Sequence, residues 1–213
     1  MTLLSQSHLS TWDTCPQQYA YRYGEGLAAA FLMEGEAQVL GSQFHQLRQQ
    51  AELGLPIAAE DPLRIWLQRF EDSLILPPGE RWTECRRTCR EGEVVLTAVY
   101  DLLIVGDRTA HIYDWKTHRE PLSSELLAQS WQTRLYLFIL AETSALPPAA
   151  LDFTYWFAAT GATVVIPYSD AQHEHARRDL GDRLRALSQH PYPKRSQRDA
   201  VCDRCPYRDR CWG

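Results

Sequence analysis

Residues Ala110 to His118, AHIYDWKTH, form a β-branched and aromatic run that ends in Asp114-x-Lys116. Alternate side chains of a strand share a face, so the Asp114 carboxylate and the Lys116 ammonium point the same way. Such a pair can hold a metal ion and a water together, and it can also be an ion pair at a solvated strand end.

The stretch before it, Val94 to Val105 (VVLTAVYDLLIV), reads as a long buried strand. Gly106-Asp107-Arg108-Thr109 reads as a tight turn back into Ala110. With Asp107 and Arg108 at the tip of this hairpin, Asp101 falls directly opposite Asp114. Centring the turn on Gly106-Asp107 makes the two carboxylates diagonal neighbours on the same face, and only an odd slip would separate them. Like charges so placed repel. A divalent cation bound by oxygen ligands is the simplest partner for both.

Upstream, Ser7 is suited to cap a helix carrying Leu9 and Trp12, which breaks at Cys15-Pro16. Pro16 then opens a second helix through Tyr19, Tyr21 and Tyr23. The spacing of Ala37, Leu40, Phe44, Leu47 and Ala51 predicts a helix over Glu34 to Leu53, with Gly54 as its stop. His45 lies one turn after Gly41 and projects over backbone that can be approached closely. A helix beginning at Asp61-Pro62 turns Leu63, Trp66, Leu67, Phe70 and Leu74 inward and ends by Pro77-Pro78-Gly79. The period then changes to two: Trp82, Glu84, Arg86 and Thr88 alternate with Thr83, Cys85, Arg87 and Cys89, and Glu91-Gly92 turns the chain into the strand bearing Asp101. Glu84 can reach the metal region as a further carboxylate, although an ion pair with a neighbouring arginine is the favoured expectation. Cys85 and Cys89 lack metal-ligand spacing and read as structural thiols.

Downstream, Pro121 to Glu142 is expected as one helix that packs through Leu127, Trp131, Leu135 and Phe138. Gln132 and Tyr136 fall on one stripe of it, with Gln129 beside them, and either seek hydrogen-bond partners or face solvent. Leu151 to Ala158 and Thr163 to Tyr168 read as a strand pair across Thr160-Gly161, followed by a charged helix over Asp170 to Gln189.

The tail carries Cys202-x2-Cys205-x5-Cys211. Disulfides are not expected in a chain suited to the reducing cytosol. Three thiols need a fourth ligand, and Cys15 is the available one outside the strand pair, which would join the first helices to the last segment. Four thiolates hold either an iron–sulfur cluster or a structural zinc ion. The irregular spacing lacks the paired C-x2-C knuckles of zinc ribbons and favours the cluster.

With 213 residues, 45% of them hydrophobic, the chain can bury one sizeable core and is expected to be a single domain over residues 1–213. No apolar run approaches the ~20 residues that span a bilayer, and the start, MTLLSQSHLS, lacks a signal-peptide pattern. A cytoplasmic protein with no membrane contact is the expectation. The formal net charge of −5 argues against binding nucleic acid by bulk electrostatics. Basic clusters at Arg81, Arg86, Arg87 and Arg90, and at Lys194, Arg195, Arg198, Arg204, Arg208 and Arg210, either contact phosphates or are solvated.

In order, Cys15-Pro16, Gly41-x3-His45, Asp101, Asp114-x-Lys116, Gln132-x3-Tyr136 and Cys202, Cys205, Cys211 resemble the PD-(D/E)XK nuclease superfamily. They resemble in particular its RecB-like branch with a four-cysteine iron–sulfur cluster, which includes CRISPR-associated exonucleases. Ala98 departs from the branch, which often has glycine three residues before the first aspartate. The resemblance implies an α/β, restriction-endonuclease-like core with a mixed sheet flanked by helices, the two chain ends joined by the cluster. It implies that His45, Asp101, Asp114 and the Trp115 carbonyl coordinate magnesium or manganese, the imidazole tilting the preference toward manganese. Lys116 would orient and help deprotonate the attacking water, while Gln132 and Tyr136 position the nucleophile, the lysine or the DNA backbone. Trp115 or Trp131 could stack an unpaired base. The [4Fe-4S] cluster, with zinc as the alternative, would be held by Cys15, Cys202, Cys205 and Cys211 as a structural staple.

The activity so implied is a metal-dependent DNA nuclease, an exonuclease on single strands or DNA ends. The alternatives are a DNA-binding iron–sulfur accessory protein with weak or no cleavage and a cluster protein that senses redox state. The chain has no G-x4-G-K-[ST] phosphate loop, so any unwinding falls to a partner, a helicase or a CRISPR adaptation complex.

Overall fold

β3 (Val94–Val105) is the axis of the sheet. β2 (Glu80–Glu91) runs antiparallel along the whole of one edge, from Glu91 opposite Val94 to Glu80 opposite Val105. The other edge is divided: β1 (Thr2–Leu4) lies parallel to Val94–Leu96, and β4 (Ala110–Lys116) lies antiparallel to Leu102–Val105. β4 carries β5 (Leu151–Phe157) in parallel, and β5 carries β6 (Thr163–Pro167) antiparallel. The result is the expected mixed sheet, here six-stranded. The structure, a computed structural model, describes residues 2–27, 35–117, 120–189 and 191–213.

Of the two hairpin registers the sequence allows, the protein adopts the one with Asp107 and Arg108 at the tip. Ala110 pairs with Val105 and Tyr113 with Leu102, and the Gly106 N–H donates to the Thr109 carbonyl at 2.8 Å.

Helices cover both faces. α1 (Gln6–Thr14), α5 (Ser124–Gln129), α6 (Trp131–Thr143) and α7 (Asp170–Leu187) pack over one core, through residues such as Leu9, Leu127, Leu135, Phe138 and Leu180. α3 (Glu36–Glu52) and α4 (Leu63–Ser73) pack over the other, where Phe44 and Phe70 meet Trp115 and Trp156, with Leu63, Trp66, Leu67 and Leu74 around them as their spacing predicts. α2 (Pro16–Tyr19) starts at the proline after an extended Cys15 and runs on into a π-helical turn, Ala20–Gly24. α8 (Ala200–Asp203) and α9 (Arg208–Trp212) close the chain.

The alternation of β3 reverses part-way. Leu96, Ala98 and Tyr100 enter the core beneath α6, but so does Leu103, while Leu102 and Ile104 enter the opposite core with Phe44. β2 reverses at the same level, since Trp82 and then Cys85 and Cys89 all lie against the α6 core. Between them Glu84 has a φ of 47°, a left-handed backbone at a non-glycine residue. Because both strands reverse together, the register is the same on either side: Thr83 faces Leu102 and Cys85 faces Tyr100. The strict period-two reading of Trp82 to Cys89 therefore fails at Glu84, and the fault falls at Asp101.

Other boundaries also move. Ser5, not Ser7, caps α1, its N–H donating to His8 Nδ1 at 3.1 Å. Pro121 to Glu142 is two helices, because Ser130 is extended and its hydroxyl accepts the Thr133 N–H at 3.2 Å, capping α6 afresh. α7 stops at Leu187. Glu34 and His118 lie outside the described residues. No helix of the described residues is long and apolar enough to cross a membrane.

Candidate active-site cleft and cysteine pocket

At the fault in the sheet, the β3–β4 ladder stops after Leu102 and Tyr113, and a side chain takes its place. Asp101 Oδ2 accepts the Trp115 N–H at 2.7 Å, while Asp101 Oδ1 lies 3.2 Å from His45 Nδ1. His45 Nε2 in turn lies 3.1 Å from the Trp115 carbonyl oxygen. The reversal of β3 lets one carboxylate reach both a strand backbone and a helix of the opposite layer. α3 can come this close because residue 41 is glycine: a Cβ there would stand 2.8 Å from Thr117 Oγ1.

Asp114 and Lys116 point to the α6 side. The Lys116 ammonium lies 2.6 Å from Asp114 Oδ2, and both belong to one amide of α6. Gln132 Oε1 accepts from Lys116 Nζ at 2.9 Å, and Gln132 Nε2 donates to Asp114 Oδ1. The polar stripe on this apolar helix thus has partners rather than solvent. Tyr136, one turn on, lines the same cleft and packs edge-on against Tyr100. Burial and the Asp114 charge push its phenol well above the ordinary range.

The cleft, about 920 Å³, is lined by His45, Glu84, Asp101, Asp114, Lys116, Gln132 and Tyr136 among others. Its field is strongly negative. Burial alone would lower the His45 pKa, but the hydrogen bond and charge of Asp101, the Asp114 charge and the Trp115 carbonyl outweigh it and raise it to about 9. Burial and the Asp101 carboxylate likewise push Asp114 up, against the pull of Lys116. A field that holds a proton on an imidazole also attracts a cation. Ligand atoms of His45, Glu84 and Asp101 all lie within 4.8 Å of one another, and the Trp115 carbonyl and Asp114 stand beside them. This set of hard oxygens with one imidazole suits magnesium or manganese.

A second constellation forms at the chain ends. Cys15, Cys202, Cys205 and Cys211 line one small pocket. Burial and the other three sulfurs push the Cys205 thiol up, against the Tyr207 backbone. Among the described residues no three of these sulfurs lie within 4.8 Å of one another. A tetrahedral zinc ion, at Zn–S of ~2.3 Å, would bring them to about 3.8 Å. The ends are also tied without any metal: Arg195 donates to the Thr14 carbonyl at 2.7 Å, Tyr207 to the Leu27 carbonyl at 2.8 Å and Arg210 to Glu25 at 2.6 Å.

The sequence reading misjudged several residues. Trp115 and Trp131 are buried, 3% and 7% exposed, so neither is free to stack a base. Of the first basic cluster, Arg81 pairs with Glu52, Arg86 with the Thr97 hydroxyl and Arg87 with the Thr143 carbonyl, while Arg81, Arg86 and Arg90 stay exposed. Glu84 makes no ion pair with an arginine among the described residues and lies in the cleft instead. Arg48 was not anticipated at all. It is buried one turn after His45, stacked 3.7 Å over Phe70 and paired at 2.7 Å with both Glu52 and Glu71, and so locks α3 to α4. A lone arginine in a helix carries no signal of such burial.

The sequence profile of the PD-(D/E)XK nuclease superfamily matches residues 3–86 and 59–212. The chain belongs to this superfamily. The PD-(D/E)XK assignment makes it a phosphodiester-cleaving nuclease by family, and such nucleases generally use magnesium or manganese. Two solved structures share the fold. One is the protein designated SSO0001, 16% identical, covering 99% of this chain and 86% of its own length at a TM-score of 0.53. The other is a Eubacterium rectale protein described as a candidate exonuclease, 13% identical, covering 95% and 88% at 0.55. No curated protein matches the chain.

Proposed function

We propose that this chain is a metal-dependent deoxyribonuclease of the RecB-like branch that hydrolyses phosphodiester bonds in single-stranded DNA or at DNA ends. One observation carries the reading: His45, Asp101 and Trp115 form one contact group, Asp114, Lys116 and Gln132 form a second, and both line one open cleft. His45, Asp101, Asp114 and the Trp115 carbonyl hold magnesium or manganese. The bound cation supplies Lewis-acid stabilisation of charge at the scissile phosphate. Lys116 orients the attacking water and stabilises the negative charge that develops as it attacks phosphorus. Gln132 fixes the rotamers of Lys116 and Asp114, so both arrive pre-positioned. Tyr136, which keeps its proton at neutral pH, donates a hydrogen bond toward the nucleophile or the DNA backbone.

Cys15, Cys202, Cys205 and Cys211 hold a [4Fe-4S] cluster. Their convergence on one small pocket supports the reading, since an iron–sulfur cluster is held by four thiolates. The cluster is a staple between the chain ends and takes no part in hydrolysis. Residues 1–213 act as one nuclease domain in the cytoplasm, on strands that a helicase or a CRISPR adaptation complex presents.

The test uses anaerobically purified protein with labelled single- and double-stranded DNA, manganese or magnesium, and Lys116→Ala as control. Cleavage that needs the metal and disappears in Lys116→Ala is expected. Activity that survives both metal removal and that substitution overturns the reading.

A further inference from the structure

Glu84 faces Asp101 across the β2–β3 ladder, flanked by the Thr83–Leu102 and Cys85–Tyr100 pairs. The joint reversal of the two strands turns both carboxylates toward α3, where His45 waits. We infer that Glu84 is a further protein ligand of the catalytic cation, sharing it with His45 and Asp101 from the open side of the cleft. The inference rests on the nuclease reading above and adds a residue to it.

Three observations support it. First, the ligand atoms of His45, Glu84 and Asp101 form a mutual set within 4.8 Å. An octahedral cation with bonds of about 2.1 Å places adjacent ligands about 3 Å apart and opposite ones about 4.2 Å apart, so small side-chain adjustments seat all three on one ion. Second, Asp114, the other proposed carboxylate ligand, lies outside that set, buried and held in place by Lys116 and Gln132, whereas Glu84 is exposed in the cleft. The two carboxylates come to Asp101 from opposite neighbours of β3, Asp114 from β4 and Glu84 from β2. Third, Glu84 has no lysine or arginine partner among the described residues, so its charge stays available to a cation.

A third carboxylate raises the negative charge facing a dication and replaces a water in its shell. The expected consequence is tighter cation binding rather than a new chemical step. Manganese binding to the full chain, followed by the electron-paramagnetic signal of free Mn²⁺, should weaken roughly ten- to a hundredfold in Glu84→Gln. The manganese concentration for half-maximal cleavage should rise by a similar factor, with most of the rate recovered at saturation. Glu84→Gly, which suits the left-handed backbone, guards against misfolding and should show the same loss. An isotherm for both variants that overlays the wild type, while Asp101→Asn abolishes binding, overturns the role of Glu84 and leaves the cation site standing. A wild-type protein that binds no manganese overturns the nuclease reading and this inference together.

Discussion

The Trp115 backbone N–H donates to Asp101 Oδ2 at 2.7 Å, in the place where a strand-to-strand hydrogen bond would otherwise continue. Asp101 is thus a structural splice as well as a candidate ligand, and the two roles can be separated. Asp101→Asn keeps an oxygen acceptor for Trp115, while Asp101→Ala orphans a buried N–H, at about 1–3 kcal/mol. Urea unfolding should place the asparagine variant near wild type and the alanine variant clearly below it. Both should lose manganese binding.

Gln132 holds Lys116 and Asp114 with its two amide atoms, so its removal leaves the charged pair present but loose. Gln132→Ala is expected to lower the single-turnover cleavage rate roughly 10- to 100-fold, in line with the loss of an orienting partner. Lys116→Ala should cost more. No loss in Gln132→Ala would remove the amide from the machinery.

The left-handed φ of 47° at Glu84 strains any residue with a Cβ. A non-glycine residue pays about 1–2 kcal/mol there, and glycine in a strand returns part of that as lost chain entropy. Glu84→Gly should therefore stabilise the fold by about 0.5–1 kcal/mol in denaturant melts while it weakens cation binding. A destabilised glycine variant would show that the Glu84 side chain matters to the fold itself.

On the proposed cluster reading, the anaerobic protein should show a visible absorbance band with iron and sulfide, and Cys202→Ser should abolish it. Because Arg195, Tyr207 and Arg210 tie the chain ends by other means, some folded protein should remain and still cleave DNA. Protein that carries zinc and no iron would refute the cluster.

Asp179 offers a pH test away from the metal region. Burial alone would raise its pKa, but the hydrogen bond and charge of Arg134, with His175 and Arg183, hold it below the usual carboxylate range. A carboxyl lowered on folding stabilises the protein above its unfolded pKa and loses that contribution as pH falls through the folded one. The bridge joins α6 to α7 and is partly solvated, so it is worth at most about 1 kcal/mol. Arg134→Ala should melt lower than wild type at pH 7, with the gap closing in strong acid.

The hairpin was legible because Gly106 to Thr109 sits between two long apolar runs, and turn chemistry fixes register. The inward residues of α4 followed from plain helical spacing. The site was partly legible: the acidic pair and the lysine announce themselves, and the α6 stripe needed partners that Asp114 and Lys116 supply. Three features were hidden. The reversal at Glu84 and Asp101 requires two strands to change together, and no local pattern marks a glutamate with positive φ. Ser130 interrupts a helix whose apolar period runs straight across it, so the hydroxyl cap was outvoted. The burial of Trp115 and Trp131 depends on which layer each joins, a tertiary fact.

β1 and β4 each occupy one end of the same side of β3, and among the described residues no strand neighbours residues 97–101 on that side. The workplace of this protein is therefore a gap in its own hydrogen-bond lattice, not a groove added by surface loops. Its width is set by how far each flanking strand extends, so lengthening β1 toward Asp101 by a few residues would shut it while every side chain in it stayed the same.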